Sequence, residues 1–275
     1  MNWLTAVEHL RDSRLPGVLV TLTQVRGHAP RAAGAKMVVT ADRTWDSIGG
    51  GNLEEVAITA ARSLLERGAA DVQTLTVPLS DKAPLQHGVQ CCGGEVTVLL
   101  EPLAVVPSVA IFGMGHVGLE LARILSRHDL DLHLVDSRPD QLSPSRLAPL
   151  DDAIARVHVH HHPILPELVL GELPPGSHVL IMTHDHAEDA ALCDAAIRAS
   201  HLASIGLIGS SAKWARFQRK LADEGHQPER IARIVTPIGV GDLHGKDPAT
   251  IAVSAAAAML RLFEQESAES ARVVP

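Results

Sequence analysis

The chain has 275 residues, 46% of them hydrophobic and 20% charged, enough apolar content for one large or two small packed domains. Lys and Arg number 24 against 32 Asp and Glu, a formal net charge of −8, which argues against non-specific binding to nucleic acid or to an anionic membrane surface but leaves room for a local anion site. Aromatic residues make up 2%, too few for base-stacking platforms, and with no Tyr at all any mechanism needing a Tyr acid, such as the Tyr/Lys pair of short-chain dehydrogenases, is excluded.

Trp3, Leu4, Val7 and Leu10 recur at helical spacing and predict a helix over residues 3–13, with charges that do not suit a signal peptide. Gly17–Gln24 is rich in β-branched residues and predicts a strand. A turn-like GHAPRAAG leads to a second strand at Ala35–Thr40. The run Gly49-Gly50-Gly51 then opens a helix that should end with Gly68 at the C′ position. Val72–Pro78 and Glu95–Leu100 read as strands on either side of a loop carrying Cys91, Cys92, Gly93 and Gly94. Two prolines in Glu101–Ser108 mark a boundary. They define a small N-terminal α+β domain over residues 1–103, a linker over 104–108 and a second domain over 109–275.

In that second domain strands are expected at 109–112, 131–135, 154–160, 177–183 and 203–208. They alternate with helices at about 116–127, 187–200, 211–223 and 248–264, the last with Asp247 as N-cap and Pro248 at its first position. Such alternation predicts an α/β fold, a Rossmann-like parallel sheet with helices on both faces. The apolar run Ile251–Leu260 is far short of the ~20 residues needed to span a bilayer, so no membrane partner is expected. Three cysteines, two of them adjacent, cannot form a disulfide framework, which points to the reducing cytoplasm.

Gly113, Gly115 and Gly118 form a G-x-G-x-x-G turn between a strand and a helix, and Asp136 closes the next strand where such folds place a ribose-binding acid. The first glycine permits a tight turn, the second lets a phosphate approach the backbone, and the third lets helix pack on strand. Phosphate of any ligand can use this loop, so the signal is stronger for a phosphate-bearing ligand than for NAD itself. Gly49–Gly51 is either a tight turn requiring positive φ or a second place where a ligand meets bare backbone. In the third Gly-containing loop, Gly209 to Lys213, Ser210 or Ser211 caps the helix and Lys213 offers a cation. Vicinal Cys91 and Cys92 in an open, Gly-rich loop are soft ligands and potential sulfur carriers, whereas Cys193, inside an Ala-rich helix, reads as core.

The 16 histidines are not one site. His158, His160 and His162 share a strand face, which permits a metal site, but no HExxH or CxxC spacing accompanies them and a solvated strand end is the favoured reading. His184 and His186 follow the apolar strand VLIM. They are an acid, base or ligand oriented by Asp185 or Asp189, or else part of a helix N-cap cluster.

Several stretches together resemble the XdhC/CoxI family of xanthine dehydrogenase accessory proteins. They are Ala29-Pro30-Arg31 with Gly34 to Met37, Ser47 to Gly51 with Leu53-Glu54, Gln90 to Gly94, Gly113 to Gly118, Met182 to His186, Gly206 to Ser210 with Lys213, and Pro237-Ile238-Gly239 leading to Ile251–Ser254. They stand in the family's order and cover almost the whole chain. The resemblance implies a small N-terminal domain plus a Rossmann-like domain, usually as a homodimer. It implies a chaperone that binds the molybdenum cofactor in its molybdopterin form. Such a protein holds the cofactor while a cysteine desulfurase supplies the terminal sulfido ligand, and passes it to the molybdenum subunit of an apo xanthine dehydrogenase or a related hydroxylase.

On this reading the chain is an accessory factor, not an enzyme. Gly113, Gly115 and Gly118 take a phosphate, Gly49, Gly50 and Gly51 shape the cofactor's approach, and Cys91 or Cys92 contacts molybdenum or relays sulfur. Asp136, His184, His186 and Lys213 complete the candidate cofactor-binding set. Asp136 also keeps open a dinucleotide form of the cofactor, or NAD(P). The alternative is an NAD(P)-dependent oxidoreductase with His184 or His186 as acid/base. A third reading is a non-catalytic regulator that senses a nucleotide and binds a partner.

Overall fold

The structure is a computed structural model and describes residues 1–79 and 94–272. The chain divides into two compact units, one running from Met1 to Val105 and one from Val106 to Phe263.

The first unit contains α1 (Trp3–Ser13), β1 (Gly17–Arg26), β2 (Lys36–Val39), β3 (Thr44–Asp46), α2 (Gly51–Glu66), β4 (Gln73–Pro78) and β5 (Glu95–Leu103). The strands form one antiparallel sheet in the order β3-β2-β1-β5-β4. Strand periodicity decides which helix covers which face. Val18, Val20 and Leu22 of β1, Met37 and Val39 of β2, and Val96, Val98 and Leu100 of β5 point to one face, where they bury Leu53, Ala57, Ala61 and Leu64 of α2. Leu19 and Val38 point the other way and meet Ala6 and Leu10 of α1. Each fully buried Val or Leu here contributes about 1.5–3 kcal/mol. The α2 helix stops as its sequence predicts: Gly68 takes φ +60°. Its N–H donates to the Leu65 carbonyl at 3.1 Å, and that of Ala69 to Leu64 at 3.0 Å, which together satisfy two of the last carbonyls.

The second unit contains β6 (Ser108–Phe112), α3 (His116–Leu125), β7 (Asp131–Asp136), α4 (Pro144–Leu147), β8 (Arg156–His161), β9 (His178–Ile181), α5 (His186–Arg198), β10 (Ser204–Leu207), α6 (Ser211–Asp223), α7 (Pro228–Ile231), β11 (Ile234–Val235) and the start of α8 (Pro248–Arg272). All its strand pairings are parallel, in the order β11-β10-β9-β6-β7-β8. Counted from β6, this is the doubly wound order of dinucleotide-binding folds, so the α/β expectation holds. A parallel sheet must be covered on both sides. Val109 and Ile111 pack with α3 and α8, while Ala110 and Phe112 pack with α5 and α6. No described helix is long and apolar enough to cross a membrane.

The departures from the sequence reading are short or tertiary. Two- and three-residue strands (β11, β3) and one-turn helices (α4, α7) are below the length at which hydrophobic periodicity registers. The histidines of β8 are not a solvated strand end. His158, His160 and His162 are half-buried. His158 stacks on buried His133 of β7 with centroids 4.6 Å apart, and His160 Nε2 lies 3.1 Å from His133 Nδ1.

Candidate functional site

The order of the parallel sheet reverses between β6 and β9, and ligands of open α/β sheets bind beyond the carboxyl ends of strands at such a point. Two predicted motifs meet there. The Gly113–Gly118 loop leaves β6 and the segment Thr183–His186 leaves β9.

The three glycines are required for three different reasons. Gly113 has φ +105°, and a Cβ there would lie 2.4 Å from the Met182 carbonyl oxygen, so it permits the close approach of the two loops. At Gly118 a Cβ would fall 2.0 Å from the Gly113 oxygen, so this glycine seats α3 on its own loop. Gly115 is different. Its φ is −66°, and nothing lies within 4 Å of a Cβ built on it. Neither conformation nor packing demands glycine at this position, and the space beside it is open.

Gly115 is also the N-cap of α3, and no side chain caps that helix among the described residues. Its first N–H groups therefore keep their donors, at the positive end of the helix dipole. The starts of the two helices that flank it in the sheet's other layer are filled by the chain itself. Asp185 accepts from the N–H groups of Ala187 and Glu188 at α5, and Ser210 accepts from Lys213 N–H at 3.3 Å at α6. At α2 the Glu54 carboxylate accepts from the Gly50 N–H at 2.5 Å and from Ser47 Oγ at 2.9 Å. No side chain caps the first N–H groups of α2 either, but an anion approaching them meets the Glu54 carboxylate, whereas no acid stands in the first turn of α3.

Asp136 ends β7 beside this loop, buried and fully engaged. Its Oδ2 accepts from Met114 N–H at 2.6 Å and from an Arg138 guanidinium nitrogen at 3.0 Å. Its Oδ1 accepts from the Arg138 backbone N–H at 2.9 Å and from Arg138 Nε at 3.0 Å. Burial alone raises its pKa, but the Arg138 bonds and the backbone N–H donors outweigh it and hold the carboxyl below its ordinary value. With four donors on two oxygens, Asp136 fixes the shape of the glycine loop and has no free lone pair for a ribose hydroxyl.

Lys213 is turned inward. It is 11% exposed, paired with buried Asp189 of α5, and donates to the Ile208 carbonyl at 2.9 Å. Asp189 also accepts from Thr183, from its N–H at 3.0 Å and its Oγ1 at 2.8 Å. The pair therefore ties the β9 loop to α5 and α6. His184 and His186 are exposed at the crevice rim. Asp185 caps a helix and Asp189 holds Lys213, so neither carboxylate orients a histidine, contrary to one of the readings of the sequence. Cys193 lies in the core, where burial first and Asp189 second push its thiol up to about 12.

Sequence reasoning missed Arg138, the donor that occupies Asp136, and the bond of 3.0 Å from Ser137 Oγ to Glu188 across the same crevice. The proximity of Arg138 to Asp136 in DSRPD was the available signal for the first. It also missed how the remaining motifs join. A Cβ on Gly206 would lie 2.8 Å from Ile238, one on Gly239 would meet Ser254, and Val240 N–H donates to Ser254 Oγ at 2.9 Å. The GLIGS, PIG and IAVS stretches are thus one packed cluster.

In the first unit the Gly49–Gly51 turn and Gly94 both border the segment around Pro30. Gly49, Gly50 and Gly51 all have positive φ, and a Cβ on Gly49 would lie 3.0 Å from Pro30. One on Gly94 would lie 2.3 Å from the His28 carbonyl oxygen. The His28-Ala29-Pro30-Arg31 segment therefore passes beside Gly49 and beside Gly94. Cys91 and Cys92, which precede Gly94 in the sequence, lie outside the described residues.

Comparison with known proteins agrees along most of the chain. A family model described as the XdhC Rossmann domain matches residues 109–259, and one described as the XdhC and CoxI family matches residues 10–77. YqeB of Escherichia coli (strain K12), an uncharacterized protein, is 26% identical over 267 residues, which is 95% of this chain and 46% of that one, so the chain spans about half that relative's length. PaoD of the same organism, a molybdenum cofactor insertion chaperone, is 26% identical over 288 residues, covering 95% of this chain and 88% of that one. A crystal structure from Bacillus halodurans, described as that of a xanthine dehydrogenase, aligns with TM-score 0.47 and 20% identity over 96% of each chain.

Proposed function

Since the chain belongs to the XdhC and CoxI family, we propose that it is a carrier that binds the molybdenum cofactor and delivers it to an apo molybdenum enzyme. The observation that carries this reading is the start of α3, an uncapped helix N-terminus beside open space at Gly115. A phosphate dianion is the ligand such a helix start takes, and molybdopterin bears one phosphate. The kinship with PaoD supplies the cofactor class.

The same geometry weighs against the oxidoreductase alternative. Asp136 offers no free acceptor to a nicotinamide ribose. The role of a carrier needs no turnover chemistry, and the simple molybdopterin form needs no ribose contact. In this proposal Gly113 and Gly118 build the phosphate loop, Gly115 admits the ligand, and Asp136 and Lys213 act by positioning. His184 and His186 stand at the rim. Gly49–Gly51 shape the first-unit turn, and Cys91 or Cys92 contacts molybdenum or relays sulfur from a cysteine desulfurase before transfer to a xanthine dehydrogenase or a related hydroxylase.

The test is anaerobic loading with molybdenum cofactor, desalting, and joint quantification of protein-bound molybdenum and pterin. Stoichiometric retention of both is expected. Loss of both on desalting, with a cofactor control still active, would refute the carrier role. In the Cys91→Ala/Cys92→Ala variant, molybdenum retention should fall with the circular dichroism spectrum unchanged. Equal retention would remove the cysteines from the role.

A further inference from the structure

The carrier function leaves the histidines of β8 unexplained, and their geometry is specific. His160 and His162 lie on the same face of the chain at the carboxyl end of β8. Glu172 reaches them from the end of the short helical turn Pro166–Gly171. One ligand atom from each of the three lies within 4.8 Å of the other two. The histidines are half-buried and the glutamate exposed, an arrangement that keeps one side open. His133 braces the set from β7, its Nδ1 3.1 Å from His160 Nε2. His158 is engaged elsewhere, stacked on His133 and 3.7 Å from Asp131.

From this we infer that His160, His162 and Glu172 form a divalent transition-metal site, with zinc the ion it suits best. Two imidazoles and one carboxylate are borderline donors, which select zinc-class ions over magnesium or calcium. Three protein ligands leave a fourth position for water or a small ligand, as in zinc sites that do more than brace a fold. The site is separate from the glycine loop: β8 lies two strands from β6, about 10 Å at the usual strand spacing. It is nevertheless joined to it through the chain, because His162 N–H donates to the Asp136 carbonyl at 3.4 Å and the Asp136 carboxylate holds Met114. The second cluster of this kind among the described residues, Asp194, Glu224 and His226, is different in character. There Asp194 is taken up by Arg198 and His226 in ion pairs.

The experiment uses the full, untagged chain, stripped with a chelator and titrated with Zn2+ against a chromophoric competitor. One equivalent should bind tightly, and the melting temperature should rise with it. His160→Ala/His162→Ala should weaken binding by at least 100-fold and abolish the rise. Glu172→Gln, at an exposed position that cannot unfold the protein, should weaken it about tenfold. His161→Ala is the control, since its side chain is exposed on the opposite face of the same strand and should leave the titration unchanged. Co2+ should give the visible spectrum of a four-coordinate ion with the wild type and a shifted one with Glu172→Gln, which exchanges the carboxylate ligand. The inference is overturned if zinc binds only in the millimolar range. It is equally overturned if His161→Ala weakens binding as much as the double variant, or if Glu172→Gln changes neither titration nor spectrum. None of these outcomes bears on cofactor retention, so the carrier reading stands or falls separately.

Discussion

Single glycines separate folding from binding in the second unit. Gly115 can accept a side chain without strain, and an aspartate there would act as an ordinary N-cap, stabilising α3 by a few tenths of a kcal/mol relative to glycine. The same carboxylate would occupy the donors meant for a phosphate and repel it. Gly115→Asp should therefore keep its melting temperature and lose at least tenfold in cofactor affinity, since a hydrogen bond to a charged group is worth about 1.5–3 kcal/mol. Gly118→Ala should do the reverse at first, losing about 1–3 kcal/mol of stability because its methyl collides with the Gly113 carbonyl. Thermal melts beside cofactor retention distinguish the two. If Gly115→Asp binds like the wild type, the ligand does not use the start of α3.

Asp136 carries a pH signature with a definite sign. Burial raises its pKa, Arg138 and the N–H groups of Arg138 and Met114 lower it more, and the net value is depressed on folding. A depressed carboxylate contributes stability that is present above the ordinary range near pH ~4 and lost as the pH falls through the lower folded value. Asp136→Asn should cost on the order of 2 kcal/mol at pH 7 and much less once the wild-type carboxylate is protonated. Urea unfolding at pH 7 and in the acid range would detect this. An equal loss at both would mean the asparagine disturbs packing, not charge.

At the scale of elements, the sequence reads well where a signal is local. The alternation of strands and helices, Gly68 as the stop of α2 and Pro248 at the start of α8 all depend on residues a few positions apart. Their physics is complete within one element. What could not be read is pairing across elements. Asp136 and Lys213 were placed correctly at the strand and helix ends that border the crevice. Asp136 takes three of its bonds from Arg138, a signal that was local, but its fourth comes from a backbone donor 22 residues back, and Lys213 finds an acid 24 residues back, which its own helix does not announce. The β8 histidines fail for the same reason, because their burial depends on His133 in the neighbouring strand. The Asp189–Lys213 pair that links α5 to α6 is the strongest of these hidden ties, with Asp189 1% exposed. Lys213→Met should cost about 3–5 kcal/mol by leaving that carboxylate buried and unpaired. Adding Asp189→Asn should recover part of it. A double variant no more stable than Lys213→Met would show that the charge is not what the pair protects.

On the scale of the whole molecule, two compact units imply two reporters. The chain has three Trp and no Tyr, so its near-ultraviolet emission comes from tryptophan alone. Trp3 and Trp45 pack in the first unit, around Ala6, Leu10 and Val38. Trp214 packs against the α5–α6 core of the second. Trp214→Phe therefore reports on the first unit and Trp3→Phe/Trp45→Phe on the second. A ligand that binds only the folded form stabilises it by RT ln(1 + [L]/Kd), about 2.7 kcal/mol at a hundredfold excess over Kd. Inorganic phosphate, which can use the start of α3 without any contribution from the cysteines, should raise the urea midpoint of the Trp214 signal and leave that of Trp3 and Trp45 in place. Gly115→Asp should remove the shift. Two signals that move together at every phosphate concentration would instead mean that the cores unfold as one cooperative block, and that a ligand held in one stabilises both.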